Sequence, residues 1–411
     1  MTSPLAPEAT IGERIRWYRR RSRKSQAVLA GLVGRTPNWL SKVERDEIPV
    51  DRLSVLIEIA RALRVSDIAD LTGRSFSLAP DGVPEHDTIA GIRLAMTTPP
   101  SILAARAPGE PLSLAQLTAR VDAAWTRYET ETRRYATLGP ELPGLLTDAL
   151  RTARLADEGP PRKGALRVLS SVYGLIRIFT YRLGEKDLAG VAGDRALIAA
   201  EETEDLAVVV DASRNVFAAL ATPSSVEQAL GMTLRTLEYA RGHIEDHPTD
   251  YALAAFGSLH LTGAITAARV GQEARAWNLL HEADRIARTL SPTANHTRTY
   301  FNTTNVAMHA VHLHVESGEA SEAARVGQRL TVPPEAPLER QIRYEVDQIQ
   351  AARLTRDWDT ALAKLEDIKQ KSPEELGSHV LVRQALRDML SKPPMGRRQE
   401  VQHLAEAAGV L

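Results

Sequence analysis

The pattern of apolar positions is most informative between residues 25 and 45, where the chain reads SQAVLAGLVGRTPNWLSKVER. Ser25 is suited to cap a first short helix, and Thr36 followed by Pro37 supplies a cap and a first-turn proline for a second. Gly34 stands where the chain leaves the first helix in a left-handed conformation that a Cβ disfavours. The apolar or small core positions are Leu29, Ala30, Val33, Leu40 and Val43. This spacing predicts a helix-turn-helix, a structure typical of DNA-binding modules.

The distribution of charge indicates that this helical pair belongs to a nucleic-acid-binding module. The 411 residues have a formal net charge of −1 at pH 7, but residues 11–65 carry 13 Lys/Arg and 6 Asp/Glu. This segment therefore has a net charge of +7, and the rest of the chain has −8. Because contacts with phosphates supply much of the affinity for duplex DNA, a basic module on an acidic body indicates DNA binding. A merely solvated helix face would not explain why the excess centres on the helix-turn-helix.

Three further helices are predicted around this pair. The first follows Thr10, which can form a capping box with Glu13; Asp51 opens a fourth helix and Ser66 caps a fifth. The segments IGERIR, SQAVLAGLVG, WLSKVER and LIEIARALRVSDIADLTG resemble the Xre/Cro/phage-repressor family, that is, five-helix lambda-repressor-like DNA-binding domains. In that family the recognition helix, here 36–45, lies in the major groove.

The resemblance implies a set of DNA contacts. Gln26 would meet a phosphate or an outer base, Asn38 is suited to bond adenine bidentately, and Lys42 is suited to reach guanine. The residues expected to face base edges are Thr36, Pro37, Asn38, Ser41 and Lys42. The expected phosphate contacts, which position the protein without reading sequence, are Arg23, Lys24 and Arg45.

Three more positions complete this comparison with the family. Glu44 matches a glutamate that pairs with an arginine of the first helix, here Arg19, in a structural role. Arg35 occupies a turn position that is usually apolar, and we expect it to point outward towards a phosphate. Asp46 stands where the family commonly has glycine, although Asp also tolerates the left-handed region.

Beyond this domain, assigned to residues 1–72, residues 73–112 contain many prolines and glycines. They predict a linker with one short amphipathic helix, Asp87 to Met96, whose apolar positions are Ile89, Ile92 and Leu94.

Residues 113–411 follow a helical pattern throughout, with tight turns between the helices. The turns read LGEKDLA (183–189), ATPSSVEQA (221–229), VGQEARA (270–276), SGEASEA (317–323) and TRDWDTA (355–361). Each ends in an alanine, which lets the second helix of a pair lie close to the first. These alanines, at intervals of 40, 47, 47 and 38 residues, are Ala189, Ala229, Ala276, Ala323 and Ala361. The pattern resembles degenerate tetratricopeptide repeats, which implies a right-handed α-solenoid with a concave inner wall.

The order of elements along the whole chain resembles Xre-type regulators with tetratricopeptide-like C-terminal domains from high-GC Gram-positive bacteria. Further matching segments are AAWTRYETETRRYATLGPELPGLLTDA (123–149), DLAGVAGDRALIAAEE (187–202) and FNTTNVAMH (301–309). A more distant similarity is to Gram-positive peptide-pheromone receptors, which bind a short peptide in the superhelical groove. The resemblance implies a transcription regulator of unspecified signal. We predict an all-α regulator that binds an inverted-repeat operator as a homodimer and senses a peptide or small molecule through its C-terminal array. The alternative is an adaptor whose repeats bind a protein partner, with DNA binding secondary.

Candidate signal-binding residues come from one polar stretch of the repeats. Asn302, Asn305 and His309 are predicted on one helix, with Arg298 one turn earlier and Tyr251 on the same wall. Asparagines in a groove can bond both the N–H and the C=O of an extended peptide. Alternatively, Asn305 and His309 bond the backbone of their own repeat and Phe301 packs in the core. The sequence leaves both possibilities open.

Catalytic and membrane functions find little support in the sequence. It has no cysteine, no Gly-rich phosphate loop, no GxSxG and no HExxH, so no enzymatic activity and no cofactor are predicted. His309, His312 and Glu316 share a helix face with metal-ligand spacing, but surface histidines are common and no metal is predicted. The start of the chain does not resemble a signal peptide, and no long apolar run is present, so a cytoplasmic protein without membrane contact is expected.

Overall fold

The computed structural model describes residues 9–22, 24–48, 50, 53–63, 65, 69–72, 88–105, 109–220, 225–293, 295–391 and 393–410. The chain divides into two compact units, Met1–Gly82 and Val83–Leu411. All regular elements of the described residues are helices, which confirms the predicted all-α fold.

The N-terminal unit contains the predicted helix-turn-helix. Its described helices are α1 (Ile11–Arg21), α2 (Gln26–Leu32), α3 (Pro37–Val43), α4 (Leu53–Leu63) and α5 (Ala69–Thr72). Thr10 forms the predicted capping box with Glu13. Ser25 and Thr36 accept backbone hydrogen bonds at the starts of α2 and α3. Gly34 has φ 63°, as the turn requires. The predicted caps Asp51 and Ser66 lie outside the described residues.

One apolar core holds these helices together. Each of α1 to α5 contributes to it, with Ile15, Leu29, Leu40, Ile59 and Leu71 completely buried. The core positions predicted in α2 and α3 are therefore confirmed. Because these side chains face inward, the other faces of α2 and α3 are left for solvent.

The C-terminal unit is a succession of helices in which consecutive helices mostly pack against each other. A 3₁₀ turn, Gly139–Glu141, precedes α10. The helices are α6 (Ile89–Thr97), α7 (Pro100–Ala105), α8 (Leu114–Thr130), α9 (Arg134–Leu138), α10 (Leu142–Leu155), α11 (Pro160–Arg182), α12 (Lys186–Glu201), α13 (Leu206–Leu220), α14 (Val226–Asp246), α15 (Asp250–Arg269), α16 (Glu273–Ala287), α17 (Thr303–Glu316), α18 (Ala320–Arg329), α19 (Leu338–Thr355), α20 (Trp358–Lys371), α21 (Pro373–Ser378), α22 (Val380–Ser391) and α23 (Arg398–Ala407).

The repeating alanines lie where the helix pairs cross. Each predicted turn separates two helices, although residues 221–224 of the second turn lie outside the described residues. All five alanines are completely buried in the second helix of their pair: Ala189, Ala229, Ala276, Ala323 and Ala361. The helical-repeat character of this region is confirmed; its assignment to the tetratricopeptide family stays a prediction.

The described part of the predicted linker packs into the C-terminal unit. Ile89 and Ile92 of α6 are buried in the same core as α8, α10 and α11. The expectation for Leu94 is wrong, since its side chain is 69% exposed. Two residues after Ile92 a helix has turned by about 200°, so Leu94 points away from the core. The linker prediction also missed α7, where Pro100 occupies the first helical position and its missing N–H costs no hydrogen bond.

Contacts between α9 and α21, which are distant in the sequence, close the helical array of the C-terminal unit. The guanidinium of Arg134, at the start of α9, forms a buried ion pair with Glu375 of α21. The hydroxyl of Tyr135 donates to the same carboxylate over 2.6 Å, between residues 240 positions apart. The backbone N–H of Tyr135 donates to Glu374 Oε2 at 3.0 Å. Burial opposes ionisation of Glu375, but Arg134 holds the pKa of its carboxyl below the usual value. The repeats are therefore not held by neighbouring repeats alone.

Helix α15 lies at the centre of the C-terminal unit. Among the described residues, it is the one helix with the length and apolar composition of a membrane span. However, 78% of that stretch is buried inside the unit. Phe301 packs so closely on Gly257 of α15 that a Cβ there would lie 2.0 Å from the ring, which accounts for the glycine. The placement of Phe301 in the core is thus confirmed.

The buried ion pair predicts a large cost for removing one partner. Arg134→Ala should lower the free energy of unfolding of the full chain by about 3–5 kcal/mol, because Glu375 is left buried without a countercharge. The folded-state pKa of Glu375 is depressed, so its stabilisation is present above the unfolded pKa and is lost as the pH falls through the folded pKa. Urea unfolding measures the loss. Arg285→Ala, which breaks an exposed pair with Glu282, is the control and should cost less than about 1 kcal/mol. Equal losses for the two variants would contradict the role of the closure.

Candidate functional site

Helix α3 presents a polar face to solvent. Leu40 and Val43 anchor its inner side in the core. Thr36, Pro37 and Asn38 are exposed, whereas Ser41 and Lys42 are half-buried. The residues predicted to face base edges therefore share the accessible side of one short helix.

A buried ion pair between Arg19 and Glu44, here called the clamp, fixes α2 and α3 to α1. Arg19 Nε lies 2.5 Å from Glu44 Oε1 and Arg19 Nη2 lies 2.8 Å from Glu44 Oε2, a bidentate pair that confirms the prediction for these residues. Arg19 Nη1 also donates to the carbonyl of Lys24 at 2.9 Å. Gln26 Nε2 donates to Glu44 Oε2 at 2.8 Å. This amide nitrogen is thus engaged inside the domain, which departs from the expectation that Gln26 points at a phosphate or a base.

Asp46 links the segment that follows α3 to the start of α1. Its backbone has φ 58°, the left-handed conformation expected from its place in the sequence. Thr10 Oγ1 donates to Asp46 Oδ2 at 2.5 Å, and the N–H of Gly12 donates to Asp46 Oδ1 at 3.2 Å. A carboxylate at a helix N-terminus is favoured by the helix dipole. Glycine could make the turn but not these bonds.

The basic residues near α3 differ in how exposed their side chains are. Arg35 is exposed, as expected, with its guanidinium 5.6 Å from the centre of the Trp39 ring. Lys24 is half-buried. Arg23 lies outside the described residues.

Arg45 already has partners within the domain. Its Nε donates to Glu47 Oε1 at 2.7 Å and its Nη1 donates to Ser41 Oγ at 2.7 Å. The hydrogen bond with Arg45 also lowers the pKa of Glu47. A phosphate contact by Arg45 must therefore compete with Glu47. Sequence reasoning missed Glu47, although a glutamate two residues after a predicted phosphate-binding arginine was a visible signal.

Comparison with known families adds an independent observation to this geometry. Residues 10–71 match the family model of a helix-turn-helix domain. A search of curated proteins returned no match to the chain. The matched segment spans the clamp, the exposed face of α3, the helices α1 to α4 and all but the last residue of α5. The helix-turn-helix domain supports DNA binding by this unit.

The C-terminal unit contains a cavity of about 220 Å³, partly open to solvent, between α11, α13, α15, α17 and α19. Asn305 and His309, two of the predicted ligand-binding residues, line it. Tyr251 and Arg298 line a second cavity instead. Arg214 lines both. The structure thus brings four of the five predicted residues to two neighbouring cavities, and their role in binding stays a prediction.

Asn302 does not fit the prediction that it projects into the groove. It is the N-cap of α17 rather than a residue within the helix, and its side chain accepts from the N–H of Asn305 at 3.0 Å. It is completely buried. Arg298 also lies outside the helix, with φ 56°, and its Nη2 lies 2.5 Å from Asp122 Oδ1. The chain turns sharply in this stretch, so equal spacing in sequence did not mean one helix face.

Asn305 and His309 line the cavity and also bond backbone groups of their own repeat. Asn305 Nδ2 donates to the carbonyl of Thr299 at 3.1 Å, but its Oδ1 is buried without a hydrogen-bond partner. His309 Nδ1 lies 2.8 Å from the carbonyl of Asn305. Burial, with a contribution from Arg340, lowers the pKa of His309 to about 3, so this ring is neutral at physiological pH.

His312 is held by acidic residues. Its Nδ1 lies 2.8 Å from Asp347 Oδ1, and its Nε2 lies 3.3 Å from Glu316. Burial disfavours the charged ring, but Asp347 raises the pKa of His312 overall. Among the described residues, no group of three or more His, Cys, Asp or Glu side chains is arranged to hold a metal ion.

Six arginines line the cavity, and sequence reasoning missed them. They are Arg177, Arg182, Arg214, Arg269, Arg340 and Arg343. Their spacing along the chain is irregular and arginine is common throughout, so no local signal pointed to them. Only the packing of four helices, α11, α13, α15 and α19, brings them together.

The pair formed by Arg45 and Glu47 generates a prediction. Glu47→Gln should raise the affinity of the full chain for random-sequence duplex DNA by about three- to ten-fold at low salt, because Arg45 is released and one negative charge is removed. Fluorescence anisotropy measures the affinity. Glu58→Gln, which removes the same charge from an exposed position on α4, is the control and should change it little. An increase of equal size in both variants would show an effect of net charge alone.

Proposed function

We propose that the chain is a sequence-specific transcription regulator of the Xre type. In this proposal it binds an inverted-repeat operator as a homodimer in the cytoplasm, and its tetratricopeptide-like region senses a peptide or small molecule. We expect no catalytic role, no cofactor and no membrane contact for this chain.

One observation carries the DNA-binding part of this proposal. The exposed face of α3 carries Thr36, Pro37 and Asn38, and a buried bidentate pair fixes the helix from behind. Such a rigid support is what base readout requires, because a hydrogen bond to a base edge depends on position to within fractions of an ångström. The match of residues 10–71 to a helix-turn-helix domain supports the same conclusion.

The homodimer follows from the amount of sequence that one helix can read. A single recognition helix contacts only a few base pairs, too few to define one site in a genome. Two domains held at a fixed distance solve this problem. A ligand that binds better to one spacing of the two domains than to the other would then change operator affinity.

The cavity of the C-terminal unit supports a sensor over the adaptor alternative. Most of the residues that line it carry polar or charged side chains, and they form a recess between helices of the C-terminal unit. An adaptor would instead be expected to use a broad exposed patch for its protein partner.

The test uses the full chain and a pool of random duplexes from which bound sequences are selected. We expect an inverted repeat to emerge. On this sequence, Asn38→Ala should weaken binding by about 1–3 kcal/mol while leaving nonspecific DNA unaffected, because base contacts specify. Lys24→Ala should weaken both kinds of binding and make them less salt-dependent, because phosphate contacts release counterions.

Lys24→Ala is the matched control, since it shares the domain but not the predicted base-reading role. Equal losses of Asn38→Ala on selected and random DNA would remove Asn38 from the base-reading residues. A pool that yields no enriched sequence would contradict sequence-specific binding altogether.

A further inference from the structure

We propose that the arginine-lined cavity of the C-terminal unit binds a small anion carrying a phosphate or carboxylate group. The anion would neutralise Arg177 and Arg214, for which the chain supplies too little negative charge. This inference deepens the proposed function. Binding of the anion does not depend on that function; only the role of the bound anion as a signal rests on it.

Arg177, on α11, is the central observation. Its side chain lines the cavity and the residue is 4% exposed, yet its Nε has no hydrogen-bond partner. Among the described residues none forms an ion pair with it; its guanidinium lies 5.2 Å from the centre of the Tyr181 ring. Burying a charge without a countercharge is costly, and proteins rarely do so away from functional sites.

The other arginines share too few carboxylates. Glu339 is 2.5 Å from Arg182 and 3.2 Å from Arg340, so one carboxylate serves two guanidiniums. The remaining pairs are Arg269 with Glu316 at 2.6 Å, Arg343 with Asp347 at 3.5 Å and Arg214 with Asp211 at 3.6 Å. Six arginines of the lining thus face four carboxylates, before His312 is counted.

The titration of neighbouring groups shows the positive potential that results. Burial lowers the pKa of Arg177 to about 10, and repulsion by Arg214 contributes. The pKa of Tyr181 shifts in the direction opposite to that of most buried tyrosines. Burial alone would raise its pKa, but Arg177 and Arg182 lower it below the usual value. The cavity therefore favours the anionic form of a group placed in it.

The size and polarity of the cavity define the class of ligand. About 220 Å³ is less than the ~300–1,000 Å³ typical of drug-sized ligands, which favours a small anion over an extended peptide. Asn305 Oδ1 is buried and accepts nothing, while its Nδ2 is fixed by the carbonyl of Thr299. A ligand that also carries a hydroxyl group would donate the hydrogen bond that Asn305 Oδ1 lacks.

The experiment measures binding to the full chain without DNA. The probes are inorganic phosphate, pyrophosphate and malate, with calorimetry for affinity and thermal unfolding for stability. We expect at least one anion to bind wild type at least about ten-fold more tightly than Arg177→Met, because charge-assisted hydrogen bonds are lost. Whether phosphates or malate bind more tightly identifies the anion class. Arg285→Met, an exposed arginine paired with Glu282, is the control and should bind like wild type.

Thermal unfolding of the free protein separates a ligand-binding arginine from a structural one. Arg177→Met should not lower the Tm in the absence of anion and is expected to raise it, because a buried unpaired charge is removed. A lower Tm with unchanged anion affinity would make Arg177 a structural residue and overturn the proposal.

Binding of none of the three probes to wild type, or equal binding to wild type and Arg177→Met, would also overturn it. Because no DNA is present, these outcomes do not depend on whether an operator exists. Conversely, anion binding in a protein that selects no DNA sequence would leave this inference standing and contradict the proposed function.

Discussion

The structure of the C-terminal unit depends on one buried ion pair, that between Arg134 and Glu375. Helical repeats are ordinarily stabilised by their neighbours, and such an array can remain open. Here α9 and α21, which are distant in the sequence, also meet, and Tyr135 adds a hydrogen bond between residues 240 positions apart. A pair of this kind adds little net stability over apolar packing, but it is specific, because either charge without the other is strongly unfavourable. Closure therefore commits the repeats to one arrangement.

That arrangement creates the inner cavity and its chemistry. Helices α11, α13 and α19 come close enough for their arginines to share a few carboxylates, and Arg177 is left without one. A core selected only for stability would have apolar residues at such positions. The conflict between burial and charge is thus concentrated where a ligand could relieve it, as functional sites commonly show. The proposed anion site therefore lies in the C-terminal unit, whereas the helix-turn-helix lies in the N-terminal unit.

In the DNA-binding unit, by contrast, most contacts that define the helices join residues that are close together in the sequence. Thr10, Ser25 and Thr36 cap helices within three residues of themselves, and the turn at Gly34 needs only a left-handed residue. Such signals are visible in any single sequence. The clamp between Arg19 and Glu44 spans 25 residues and was predicted only because a family resemblance supplied it. Its additional partner Gln26 was not predicted, since the same amide could equally have pointed outward.

By itself the sequence determined the all-α fold, the helix-turn-helix with its caps and the alanines at the crossings of the repeats. These features follow from backbone hydrogen bonding and helical periodicity, which act within one or two turns. Only the tertiary structure decided that Leu94 faces solvent, that Asn302 caps a helix and that Asn305 reaches a cavity. It alone brought Arg177 and Arg214 together. The environment of these side chains is set by helices tens to hundreds of residues away, and the pattern of a single helix contains no record of that packing.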